Sequence, residues 1–189
     1  MMPALLIAET SQRLTSAFDQ LDRWFAAPAP LRGYHPANGG WTVDEILEHV
    51  ALTNHYLLIL IEKGAAKALK NVHGLDLATE LATRQSARAR LDEISQPGAF
   101  AWMRPDHMAP QGLKPGSEVA ATLRQQLQQC LAVLGRLPNG EGVLHRITMT
   151  VNELGRMDVY DFVYFLAKHA ERHLAQIASI ATEYQAQQR

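Results

Sequence analysis

FLAKHAERHLAQI, residues 165–177, places His169 and His173 four apart inside a strongly apolar helical pattern. A helix advances about 100° per residue. With His169 at zero, His173 falls at about +40°, Phe162 and Ile180 at about +20°, and Phe165 and Gln176 slightly to the other side. The two imidazoles therefore lie in the middle of the buried stripe, while Lys168, Glu171 and Arg172 point elsewhere. A buried imidazole that finds no partner costs about 1–3 kcal/mol, and two within one turn are hard to satisfy with ordinary neighbours. They are either core histidines with hydrogen-bond partners or a grip on something.

The same periodicity runs through the rest of the chain. Ile7, Leu14, Phe18, Leu21 and Phe25 predict a first helix over about 4–25. AAPAPLRGYHPANGG then breaks it. Thr42-Val43-Asp44-Glu45 is a capping box, with Thr42 as N-cap and Glu45 at N3. It opens a second helix whose stripe is Val43, Ile46, Leu47, Val50, Leu57, Leu60 and Ile61. Gly64 is a plausible end, although the alanine-rich stretch beyond it suits helix too. Residues 65–95 read as irregular and partly helical. QPGAFAWMRPDHMAPQGLKPGS, 96–117, is a long connection of the kind found as a crossover in some four-helix bundles. Val119, Leu123, Leu127, Cys130, Leu134 and Leu137 mark a third long helix over about 117–137, stopped by Pro138-Asn139-Gly140. VLHRITMTV is extended or irregular, and the last helix begins near Met157 or Asp158 and reaches about Tyr184. The expected fold is all-α: one domain over 1–189, a four-helix bundle with a long crossover.

Composition narrows the functions. The 189 residues suffice for one sizeable core, and 47% hydrophobic with 20% charged residues is an ordinary globular balance. A net charge of −1 gives no reason to expect nucleic acid or an anionic membrane as partner. Arg84, Arg88 and Arg90 form a local basic cluster that reads as a solvated face. Cys130, the lone cysteine, excludes an intrachain disulfide and reads as a small buried hydrophobe. LLILI at 57–61 is far short of a membrane span. MMPALLIAET lacks a basic n-region and a cleavage pattern. A soluble cytoplasmic protein is expected.

Neutral imidazoles bind Zn, Ni, Fe or Cu through a ring lone pair, and histidines at i and i+4 can address one ion. Among eight histidines the spacing alone is weak; its place in an apolar stripe strengthens it. A third ligand is needed. His49, two turns into the second helix beside its stripe, is the best candidate, with Thr53 one turn further on. His107 is a lesser substitute. His55 reads as a surface residue, and His35, His73 and His145 lie in loops or mixed segments. A di-iron Glu-x-x-His pattern is absent, because Ile46, Leu166 and Ala170 precede the three histidines by three. Glu171 lies about 200° round the helix from His169, so the metalloprotease His-Glu-x-x-His arrangement is absent too. Ser-His-Asp elbows, P-loops, GxGxxG turns and CxxC pairs are also missing.

Three stretches together resemble the DinB-like superfamily, which includes the YfiT-like metal-dependent enzymes. GGWTVDEILEHV (39–50) is similar to its Trp-to-His stretch, MAPQGLKPGSEVAATLRQQL (108–127) to its Ala-Pro linker, and LGRMDVYDFVYFLAKHAERHLAQI (154–177) to its last helix. The resemblance implies a four-helix bundle with a long crossover and a metal site of one histidine from the second helix and two from the last: His49, His169 and His173 here. The cofactor expected is a divalent ion such as Zn, Ni, Fe or Mn. Three histidines leave coordination positions open, the mark of a catalytic site. The resemblance further implies a hydrolase or a transferase using a low-molecular-weight thiol, a small-molecule substrate, and a homodimer. The alternative is a non-catalytic metal-binding or stress-response interaction module; a third possibility is a bundle with satisfied core histidines. No general base stands out. Glu45 is taken by the cap, Glu48 reads as a surface residue, and Trp41 lines a pocket mouth or packs the helix start. Residues 65–107, the least family-like part, are expected to shape the cavity.

Overall fold

The computed structural model describes residues 2–96, 105–150 and 154–188. Its helices in chain order begin with α1 (Pro3–Trp24), α2 (Ala29–Arg32), α3 (Val43–Asn71), α4 (Leu77–Ala82) and α5 (Arg88–Ile94). A 3-10 turn at Asp106–Met108, α6 (Gly116–Gly135) and a second 3-10 turn at Glu141–Leu144 follow. The hairpin strands β1 (Arg146–Met149) and β2 (Gly155–Asp158) lead into α7 (Val159–Gln187). The protein is thus mostly helical, as expected, with one small antiparallel ladder in which Ile147 faces Met157. Of the long connection read over 96–117, residues 97–104 lie outside the described residues, as do 151–153 beside the hairpin.

The four long helices form where the apolar period predicts them. Leu6, Leu14, Phe18 and Leu21 of α1 are buried, and α1 packs on α6 and α7. α3 packs on the same two helices. Its start is the capping box: Thr42 Oγ1 accepts the Glu45 N–H at 3.2 Å, and Glu45 Oε2 accepts the Thr42 N–H at 2.8 Å. At the start of α7, Asp158 caps by accepting the Asp161 N–H at 2.9 Å. Both caps satisfy donors that a helix start leaves orphaned.

Gly64 does not end α3. The helix continues to Asn71, and the glycine makes room for the hairpin: a Cβ there would lie 2.5 Å from Ile147 Cδ1. Leu60, read into the apolar stripe, is 39% exposed, because helix phase places it at a cavity mouth rather than in the core. The solvated basic face is corrected for Arg84 and Arg88, while Arg90 is exposed as expected. Arg84 is half-buried and donates to Asp158 at 2.6 Å and Asp161 at 2.7 Å, tying the α4–α5 link to the start of α7. Arg88 donates to the Leu6 carbonyl at 3.2 Å and lies over the Tyr164 ring, 4.5 Å from its centroid.

Where the second 3-10 turn meets α7, Tyr160 is fully buried and its hydroxyl bridges the Leu137 carbonyl and the Gly142 N–H. A Cβ on Gly142 would meet the Tyr160 ring at 2.6 Å, and a rigid ring cannot swing aside. Gly142→Ala is therefore expected to destabilise the protein by about 1–3 kcal/mol through overpacking, measured by urea denaturation. A variant as stable as the parent would mean that the turn relaxes freely.

Candidate metal centre

α3 brings His49, and α7 brings His169 and His173, to one point. One ring nitrogen of each lies within 4.8 Å of the other two, and all three residues are buried. The ring centroids are 4.5 Å apart for His169 and His173, 4.8 Å for His49 and His173, and 5.3 Å for His49 and His169. His107 does not join them; its ring lies against Tyr56, at 4.4 Å. His55 is exposed, as its helix phase predicts.

The hydrogen bonds decide which nitrogens face the centre. His49 Nδ1 lies 2.7 Å from the Met108 carbonyl oxygen, which only accepts, so Nδ1 carries the proton and Nε2 the lone pair. His173 Nδ1 donates to Gln176 Oε1 at 3.0 Å, leaving Nε2 again as the acceptor. His173 Nε2 and His169 Nε2 face each other at 3.1 Å. Two such atoms attract only if a proton or a cation sits between them. Metal–nitrogen bonds of about 2.0–2.1 Å place neighbouring ligands roughly 2.9–3.4 Å apart, so the observed separation suits a shared ion as well as a shared proton.

Electrostatics favours the neutral, ligating form. Burial, reinforced by His49, pushes the His173 pKa down to about 3. Burial and then the neighbouring His173 and His49 hold His169 well below the usual imidazole value. Neither competes for a proton at neutral pH. The donor set is therefore compatible with a metal site: three imidazoles, two of them oriented by hydrogen bonds at the far nitrogen.

The cluster lies in the wall of a cavity of about 620 Å³ that is mostly apolar, within the usual range for small-molecule sites. Leu57, Ile59, Leu60 and Phe165 supply greasy walls, and Thr53, Tyr56, His107 and Gln176 supply polar points. Thr53 Oγ1 is buried with no hydrogen-bond partner among the described residues. Trp41 lines the cavity and also packs on His49, with ring centroids 4.7 Å apart. Arg172, expected to point away, lines the cavity too. Of the segment 65–107, only Pro105 and His107 among the described residues line it; α4 and α5 pack elsewhere.

A family model described as the DinB superfamily matches residues 6–177. The chain belongs to the DinB superfamily. No curated protein and no solved structure shows significant similarity to it. In this DinB-superfamily chain Glu171 ion-pairs with Arg13 at 3.1 Å and Lys168 at 2.8 Å, which removes it as a base beside the histidines. Cys130 is fully buried with its pKa pushed up to about 12 by burial, so it is no nucleophile. No helix among the described residues is long and apolar enough to cross a membrane.

Sequence reasoning missed two orienting groups. Gln176 stands three residues after His173 on the same helix, a spacing that brings side chains together and was open to detection. The Met108 carbonyl had no local signal. Glu48, read as a surface residue, is buried and accepts the Gly112 N–H at 2.8 Å and the Gln111 N–H at 3.2 Å. Its partners are backbone groups distant in sequence.

Proposed function

We propose that this protein is a metal-dependent enzyme in which His49, His169 and His173 hold one divalent ion, with Zn, Ni, Fe and Mn as candidates. The reaction we propose is transfer of a low-molecular-weight thiol to a small electrophile, or hydrolysis of a small ester or amide. The proposal takes the four long helices as the family's bundle and the segment around 96–117 as its crossover. The observation that carries it is the convergence of three buried imidazoles on the wall of an apolar cavity, with no carboxylate or cysteine among the described residues completing the set. Open coordination positions facing a cavity distinguish catalytic from structural sites.

When bound, the ion supplies Lewis acidity, lowering the pKa of a thiol or water and polarising a carbonyl. The chain's residues do the rest. The Met108 carbonyl and the Gln176 amide hold the outer protons of His49 and His173, fixing both rings. Leu57 and Phe165 exclude water and raise the strength of every charge interaction inside. The Thr53 hydroxyl, four residues after His49 on the same helix, is placed to meet a polar group of the substrate.

Protein stripped by a chelator and titrated calorimetrically is expected to take up one equivalent of a divalent ion. The loaded protein should then consume a thiol in the presence of an electrophile, or cleave a chromogenic ester, and lose that activity on chelation. Uptake without turnover of either kind would favour the non-catalytic metal-binding module. Absence of stoichiometric uptake would leave only core histidines.

A further inference from the structure

The strap from Pro105 to Gly112 is bound at two consecutive residues of α3. His49 donates to the Met108 carbonyl at 2.7 Å. Glu48, the residue before it, accepts the Gln111 and Gly112 N–H groups at 3.2 and 2.8 Å. On both sides of the Met108 anchor the strap has little freedom. The 3-10 turn closes through Met108 N–H to the Pro105 carbonyl and Ala109 N–H to the Asp106 carbonyl, both at 3.0 Å. Gly112 turns with a φ of +66°, which other residues rarely adopt.

We propose that Glu48 is a positioning residue for His49. Its carboxylate holds the 111–112 turn, the turn holds the Met108 carbonyl, and the carbonyl fixes the tautomer and ring direction of His49. A carboxylate with two N–H donors is a strong anchor, and its burial makes an alternative partner scarce. Consecutive residues on a helix diverge by about 100°, so Glu48 reaches the turn while His49 reaches the cluster. Because His107 and Met108 line the cavity, the same strap makes one wall of the proposed substrate site. The link to metal rests on the reading above; the link to His49 does not.

The test uses the full chain with Glu48→Gln, which keeps an oxygen where both N–H groups meet Oε2 but removes the charge that strengthens those bonds. Gly112→Ala attacks the same anchor from the strap side. In metal-free protein, long-range ¹H–¹⁵N spectra of the imidazoles should show His49 with its proton on Nδ1, and in Glu48→Gln a mixture of tautomers. In cobalt-loaded protein, Glu48→Gln should weaken binding about 10–100-fold, the range for lost orienting partners of a ligand histidine, and shift the cobalt visible bands. In a His49→Ala background, adding Glu48→Gln should change cobalt affinity no further. Glu48→Asp should recover part of the loss.

An unchanged tautomer and spectrum in Glu48→Gln would overturn the proposal. So would an equal loss of affinity with and without His49, since that reports general loosening. If the parent takes up no cobalt but its His49 tautomer still responds to Glu48→Gln, the metal reading fails and the positioning role stands. If Glu48→Gln does not fold, Gly112→Ala carries the same comparison.

Discussion

His173→Ala is expected to abolish tight metal binding while leaving the protein folded. The ring offers Nε2 3.1 Å from that of His169, and its other nitrogen is fixed by Gln176. Losing an orienting partner costs metal affinity about 10–100-fold, so losing a ligand outright should cost more than about 100-fold. The stability change should be small, within about 2 kcal/mol. His173 borders an existing cavity, so truncation enlarges that space rather than opening a void in the close-packed core. Competition against a chromogenic chelator measures the first expectation and thermal unfolding followed by circular dichroism the second. His55→Ala, exposed on the same helix as His49, is the matched control and should bind as the parent does. Tight one-to-one binding surviving in His173→Ala would end the three-histidine reading.

The largest stability effect should come from a residue remote from the cavity. Arg84→Ala leaves Asp158 and Asp161 buried together without their cation. Burial already raises the Asp161 pKa, Asp158 raises it further, and Arg84 opposes both. Without the guanidinium one carboxyl must take up a proton or stay charged at high cost. Breaking a buried pair by removing one partner costs about 3–5 kcal/mol, which for a chain of this size corresponds to a melting point lower by roughly 6–20 °C. Asp158 also caps α7, so fraying of the first turn should accompany the loss, visible as faster amide exchange near Asp161. A melting point within 2 °C of the parent in Arg84→Ala would show that the network contributes nothing net.

Much of the scaffold and the centre of the site were legible because they are written locally. The Thr42–Glu45 box, the apolar stripes of the four long helices and the four-residue step from His169 to His173 all act within one or two helical turns. Periodicity resolves that range well. His49 was reachable for the same reason, as a polar residue beside an apolar stripe. The misreadings share an opposite cause. Arg84 and Glu48 look like surface charges to any local reading, since charged side chains are seldom buried. Their partners stand dozens of residues away and are revealed only by packing. Gly64 misled in a related way: a glycine in a helical pattern suggests termination, but here the missing side chain admits Ile147 from the hairpin. The role of the Met108 carbonyl carries no side-chain signature at all.

The split of the three imidazoles between α3 and α7 has a consequence for folding. In an unfolded chain His169 and His173 are neighbours in sequence alone, and forming α7 brings their rings together. The third ring joins them only after the two helices dock. An ion gripped by all three would therefore act as a cross-link tightened by the native state alone, and its concentration would set the heat resistance of the protein by mass action.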